Sequence, residues 1–298
     1  MNTPEKGSGN QDCIFLSTST SPPNPGLLAK AEAETLRQSL STFTSVMGVT
    51  NCGTKFLTSK VTATGREIVE VTDRCRNKHV CPNCMGYAYW KLAKDLEALL
   101  PAWLDSGGAV YTQTLTLPNR NKPLIYKHID LAKTWTTMGK SKRFSKLKMK
   151  YGMVQYLRVL EDVLRVKGSF PHFHLTWFFQ TARSNQEMND FSQEIATLWA
   201  DSAVKAGIRG VQPSKQWAGP ISSKAKTYAR YIFKHGYFDL SFQPNSPQNS
   251  EVGLKPLEFL RALVATGDYE MLRTWLEYES ATANRHRIQS SKGFKWTN

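Results

Sequence analysis

The chain is poor in acid and has no long apolar run. Its 298 residues include 24 Asp and Glu against 39 Lys and Arg, a formal net charge of +15 with a sequence pI near 9.6. That imbalance points to a polyanionic partner, with nucleic acid the leading candidate, and says nothing about enzymology. No stretch of about 18 apolar residues is present, which excludes a membrane-spanning helix. A membrane surface as the polyanion would want a basic amphipathic helix or a juxtamembrane polybasic block, and neither is evident. The opening MNTPEKGSGNQD lacks the basic-then-apolar order of a secretory signal, so a cytoplasmic protein is expected. In that reducing compartment its five cysteines are not expected to form disulfides. No internal repeat of solenoid period is visible. What is there is a soluble globular chain, 40% hydrophobic, long enough for one large domain with appendages or for two domains.

Composition and motifs divide it. Residues 1–26, rich in Ser, Thr, Pro, Asn and Gly, read as a flexible tail that carries Cys13. Residues 27–104 read as an amphipathic helix, Leu27 to Phe43, followed by a cysteine module. Cys52 precedes a hairpin-like stretch turning at Thr64-Gly65, which leads into Cys75-Arg-Asn-Lys-His-Val-Cys81-Pro-Asn-Cys84. One distant cysteine and three clustered ones match a structural zinc site closed on four sulfurs, with His79 as the alternative to Cys52. The Cys81-x-x-Cys84 half is the specific part, because its spacing lets the backbone amides of the turn point at sulfur. A helix from Tyr87 to Leu100 is expected to leave the knuckle.

Residues 105–242 carry the remaining chemistry. After Gly107-Gly108, AVYTQTLTLPN alternates as a strand, with Thr112, Thr114 and Thr116 on one face and Gln113, Leu115 and Leu117 on the other. Pro123 to Met149 reads as a helix or helix pair. Lys127, Lys133, Lys140, Lys142, Arg143, Lys146, Lys148 and the adjoining Lys150, against Asp130 alone, make a basic surface able to lie along phosphates.

Val154 to Val163 and the segment after Pro171 read as two strands joined by turn residues at Lys167-Gly168-Ser169. Alternation puts His172 and His174 on one face, about 7 Å apart, and Phe173 on the other. A two-residue turn at Lys167-Gly168 places Glu161 opposite His174, whereas a one-residue slip sends it to the other face. Two imidazoles and a carboxylate make an open seat for a divalent ion. The bland alternative is a surface histidine pair and a solvated glutamate.

Asn185 to Ala206 reads as a core helix. Ser222 to Gly236 reads as a short helix with a serine N-cap and a terminal glycine. Tyr228 and Tyr231 share one of its faces with Lys224 and Lys234 or His235. Tyrosine attacks a phosphodiester only where a cation stabilises the phenolate, since its reference pKa is about 10, and Lys234 supplies one. Residues 243–298 read as a polar linker from Gln243 to Val252, helical patterning from Leu254 to Glu279, and a basic tail with interleaved aromatics.

In this order, CRNKHVCPNC, TLTLPN, the Arg158-Val-Leu-Glu161 strand, Pro171-His172-Phe173-His174 and Tyr231-Ile-Phe-Lys234 resemble the rolling-circle plasmid replication initiators. These are a branch of the HUH endonuclease superfamily, and the likeness covers roughly residues 52 to 240. The closing EYESATANRHRIQSSKGFK is also similar to the tail of some members. The resemblance implies an α+β fold in which a central antiparallel sheet, with the histidine and TLTL strands adjacent, is flanked by helices and joined by an N-terminal zinc-binding module.

It also implies a chemistry. Mg²⁺ or Mn²⁺ held by His172, His174 and Glu161 polarises the scissile phosphate, and Tyr231, beside Lys234, attacks in line. The products are a 5′-phosphotyrosine link and a 3′-hydroxyl primer, and the strand is later rejoined. Where some members carry a water-activating glutamate this chain has Thr227, so Tyr228 is the nearest candidate for ending the round. Implied partners are origin DNA, as a single-stranded or cruciform nick site, a host helicase and the replication machinery, with no membrane. Two other readings stay open: a transposase of the same superfamily, and a zinc-containing DNA-binding regulator whose histidines are structural.

Overall fold

The computed structural model describes residues 25–54, 56–61, 67–71, 74–119, 121–221, 225–233 and 253–294. In chain order these form α1 (Pro25–Leu40), α2 (Met47–Thr50), β1 (Phe56–Val61), β2 (Glu67–Val71), α3 (Pro82–Asp105), β3 (Ala109–Leu115), α4 (Leu124–Gly139), α5 (Lys142–Tyr151), β4 (Met153–Val163) and β5 (Phe170–Phe179). They continue with α6 (Asn185–Lys205), β6 (Ala218–Pro220), α7 (Ala225–Ile232), α8 (Pro256–Thr266), α9 (Tyr269–Thr282) and β7 (Ile288–Ser290). Most of the 1–26 tail with Cys13, the Thr64-Gly65 turn, the serine cap and Lys224, Lys234 to Gly236, and the Gln243–Val252 linker lie outside the described residues.

Strands β1 and β2 pair as a separate antiparallel hairpin. The others form one antiparallel sheet in the order β6-β3-β5-β4-β7, so the fold is α+β with the TLTL strand beside the histidine strand. Alternation along these strands sorts two apolar layers. Leu115, Leu160, Phe173, Leu175 and Trp177 point to one face, covered by α4, α5 and α6. Val110, Leu157, Val159 and Phe178 point to the other, covered by α3 and α7. A third core joins α1 and the cysteine module to α8 and α9, through residues such as Leu40, Cys81, Trp275 and Tyr278.

Local signals start and stop the helices. Ser141 accepts the Phe144 amide at the start of α5, and Ser184 with Glu187 forms a capping box on α6. The helical pattern after Leu254 breaks at Gly267, whose φ of 63° ends α8, and Asp268 then caps α9 through the Met271 amide. Helix α3 begins at Pro82, earlier than Tyr87, so Cys81 is its N-cap residue and Cys84 lies in its first turn.

Two expectations are corrected. Glu161 pairs with His172, and Val159 is the residue opposite His174. The connection is no two-residue turn: it runs from Leu164 to Ser169, because Leu164 leaves the hairpin to exchange backbone hydrogen bonds with Leu254 at 2.8 and 3.0 Å. The displacement is two residues, which preserves the face, so Glu161 still stands with both histidines. Second, Lys127 is buried and donates to Asn119 Oδ1 and the Ser169 carbonyl, both at 2.8 Å, so it belongs to no basic surface. Helix α5 covers the sheet face opposite the histidines, and α6 pairs its Arg143 with Asp201 and its Lys150 with Glu194. The basic tail contributes to sheet and core: β7 extends the sheet along β4, Arg287 is buried, and Phe294 packs edge-on against Phe178.

Candidate active site

Among the described residues, two groups of His, Cys, Asp and Glu side chains converge closely enough to hold a metal ion. The first is Glu161, His172 and His174, all buried, with one ligand atom from each lying within 4.8 Å of the others. The two Nε2 atoms are 3.2 Å apart. Glu161 Oε2 lies 3.5 Å from Nε2 of His172 and makes a short contact with Nε2 of His174. Metal–nitrogen bonds of about 2.1 Å at right angles put two nitrogens about 3 Å apart, so this donor set fits a divalent ion.

Neighbouring strands aim these ligands. Thr114, across the β3–β5 pair, places its hydroxyl 3.1 Å from His174 Nδ1, leaving Nε2 to face the carboxylate. Phe170 stacks on the His172 ring with centroids 5.5 Å apart, and His172 Nδ1 is buried without a hydrogen-bond partner.

Helix α7 lies on this same face. Ala225, Ala229 and Ile232 pack toward the sheet and α3, and Arg230 bonds Glu97 of α3 at 2.6 Å. The two tyrosines then part company. Tyr231 is 47% exposed, and its ring meets that of His174 edge to face at 5.8 Å. Tyr228 turns its hydroxyl onto the sheet, 2.9 Å from Thr112 Oγ1 and 2.8 Å from Thr176 Oγ1. Burial pushes the Tyr228 phenol up to about 12, despite both hydrogen bonds. Of the tyrosines predicted from sequence, one is therefore presented beside the imidazoles and the other is held beneath the helix. Lys234 lies outside the described residues.

The second group is Cys52, Cys75, Cys81 and Cys84, with their sulfurs within 4.8 Å of one another. Cys84 Sγ lies 3.5 Å from Cys52 Sγ and 3.6 Å from Cys75 Sγ. Four sulfurs around one ion at 2.3 Å would be about 3.8 Å apart, so the cluster fits a tetrahedral S₄ site. The shared protons favour a thiolate at Cys75, held by hydrogen bonds from Cys81 and Cys84, while those bonds and burial push the other two thiols up. Cys52 completes this group and His79 lies outside it, with its Nε2 donating to the Arg285 carbonyl at 2.7 Å.

Sequence reasoning missed a buried ionic network on the opposite face of β4. Asp162 takes His128 Nε2 at 2.6 Å and Arg287 Nη2 at 3.0 Å, and Arg287 also donates to the Tyr278 hydroxyl at 2.6 Å. Tyr278 in turn donates to the His79 carbonyl at 2.9 Å, which ties the strand carrying Glu161 to the cysteine module and to α9. The adjacent Glu161-Asp162 pair was the available signal, since alternation must send one carboxylate into each layer.

Comparison of the chain with protein-family models, curated proteins and solved structures finds no match. Among the described residues no helix is long and apolar enough to cross a membrane.

Proposed function

We propose that the chain is a metal-dependent DNA-nicking and strand-joining enzyme of the HUH type that initiates plasmid rolling-circle replication. One observation carries this reading: an exposed tyrosine ring lies 5.8 Å from His174, in a buried Glu161-His172-His174 donor set. A Mg²⁺ or Mn²⁺ ion bound there supplies positive charge to a phosphate oxygen. The Tyr231 phenol gives up its proton as its oxygen bonds to phosphorus, the bond from phosphorus to the 3′-oxygen breaks, that oxygen takes up a proton, and the downstream strand stays attached as a 5′-phosphotyrosine. Reversal by a 3′-hydroxyl rejoins the strand. Tyr228, with its hydroxyl engaged by two threonines, serves α7 as an anchor in this reading. Cys52, Cys75, Cys81 and Cys84 hold a structural zinc, which has no open position for chemistry.

The net charge of +15 suits a DNA substrate. The test is incubation with Mn²⁺ and single-stranded oligonucleotides tiling the replicon that carries the gene. Site-specific cleavage should leave a free 3′-hydroxyl on one fragment and protein on the other, and EDTA should abolish it. DNA binding with no cleavage in Mn²⁺ would favour the regulator reading. Cleavage confined to the ends of a mobile element, with no support of plasmid copying, would favour the transposase.

A further inference from the structure

Trp217 is a large apolar side chain that the fold leaves 61% exposed. Its carbonyl accepts the Thr114 amide at 2.8 Å, continuing the register in which β6 pairs Ala218 with Gln113 and Gly219 with Thr112. Trp217 is thus directly across from Thr114, and Thr114 is directly across from His174. Cross-strand neighbours share a face, so the indole stands on the histidine face, two strand spacings or about 10 Å from His174.

A Cβ at Gly219 would lie 3.4 Å from indole Cζ2 and 3.5 Å from Cη2, ordinary van der Waals contact, so the edge of the ring lies over Gly219 on the strand while the side chain stays largely exposed. The approach to Trp217 is pinned by buried Gln216, whose Oε1 accepts the Thr116 amide at 2.7 Å and whose Nε2 donates to the Gln212 carbonyl at 3.0 Å. An indole left open this way gives up most of the free energy its burial would contribute. A rigid, flat, apolar surface beside a phosphate-handling site on a strongly basic chain matches the π-face of a nucleobase.

We propose that Trp217 is a base-stacking platform for the single-stranded DNA substrate, an inference that rests on the nicking reading. A base within about three nucleotides of the scissile phosphate, at the stacked rise of 3.4 Å, lies on the indole and sets how the backbone enters the site. Trp217 is a positioning residue, since it touches none of the reacting atoms.

The test is affinity for a short mixed-sequence single-stranded oligonucleotide and for the same sequence as duplex, each over a range of salt. Trp217→Ala should weaken single-strand binding about 5- to 150-fold. Duplex affinity and the slope of affinity against salt should be unchanged, because the slope counts phosphate contacts. Trp217→Phe should recover most of the loss and Trp217→Leu little of it, a contrast that reads the platform even where the alanine variant folds poorly. Wild-type affinity in Trp217→Ala, or equal loss for single strand and duplex, overturns the proposal. If the wild type still cleaves in Mn²⁺ in that case, only the role of Trp217 falls. If the wild type neither cleaves nor prefers single strands, the nicking reading falls with it.

Discussion

Thr114 and His174 face each other across the β3–β5 pair, with the threonine hydroxyl 3.1 Å from the imidazole Nδ1. An imidazole that binds a cation through Nε2 carries its proton on Nδ1, and a neutral hydroxyl is a suitable acceptor for it. Thr114→Val keeps the shape and removes that acceptor. Mn²⁺ affinity measured by calorimetry should fall about 10- to 100-fold, while stability changes by only about 1 kcal/mol. Unchanged metal affinity would show that the threonine does not orient the ring.

The two metal groups should respond differently to chelation. Elemental analysis should find one zinc per chain, retained through a mild EDTA wash that strips the Glu161-His172-His174 ion, and added Mn²⁺ should then restore cleavage. Cys81→Ser should lower zinc content and destabilise the core that the cysteines share with α1, α8 and α9. Reduced, folded protein with far less than one zinc per chain would remove zinc from this account.

Arg287 and Asp162 are both buried, and their ion pair joins the C-terminal segment to the sheet. Arg287→Met leaves the buried Asp162 carboxylate with His128 as its remaining partner and should cost about 3–5 kcal/mol in urea unfolding. Adding Asp162→Asn removes the under-compensated charge and should restore part of that loss. A single variant as stable as wild type would mean that the segment after α9 is dispensable to the fold.

Acid should expose His79. Burial first, and the Arg287 charge second, lower its pKa from the ordinary 6.5 to about 4. Above pH 6.5 the ring is neutral in both folded and unfolded chains and gives no slope. Between pH 6.5 and about 4 the unfolded chain binds a proton that the folded chain refuses, so stability falls with pH by up to about 1.4 kcal/mol per unit. The full loss is about 3 kcal/mol. His79→Phe should have a shallower dependence over that window, and an identical slope in the two proteins would contradict the assignment.

Period-two alternation made much of the site legible. It assigned His172, His174, Thr112 and Thr114 to common faces, and Glu161 stayed with the histidines because the true register differs by an even number of residues. The register itself was hidden, since it depends on a bridge from Leu164 to Leu254 far along the chain. Charge patterning misled where a distant partner decided the outcome: Lys127 is captured by Asn119 and the Ser169 carbonyl. Helical spacing alone did not separate Tyr228 from Tyr231. That distinction comes from the sheet, where Thr112 and Thr176 engage one hydroxyl while the other ring reaches His174.

The most direct measurement identifies the tyrosine that becomes linked to DNA. Cleavage of a labelled single-stranded oligonucleotide in Mn²⁺, followed by proteolysis and mass spectrometry, should find the nucleotide on the peptide containing Tyr231. Tyr231→Phe should form no adduct and stay close to wild-type stability, since the ring that meets His174 is retained. Tyr228→Phe should still form one, at a cost of about 1 kcal/mol in stability for the lost hydrogen bonds. An adduct on Tyr228, or one that persists in Tyr231→Phe, would contradict the account.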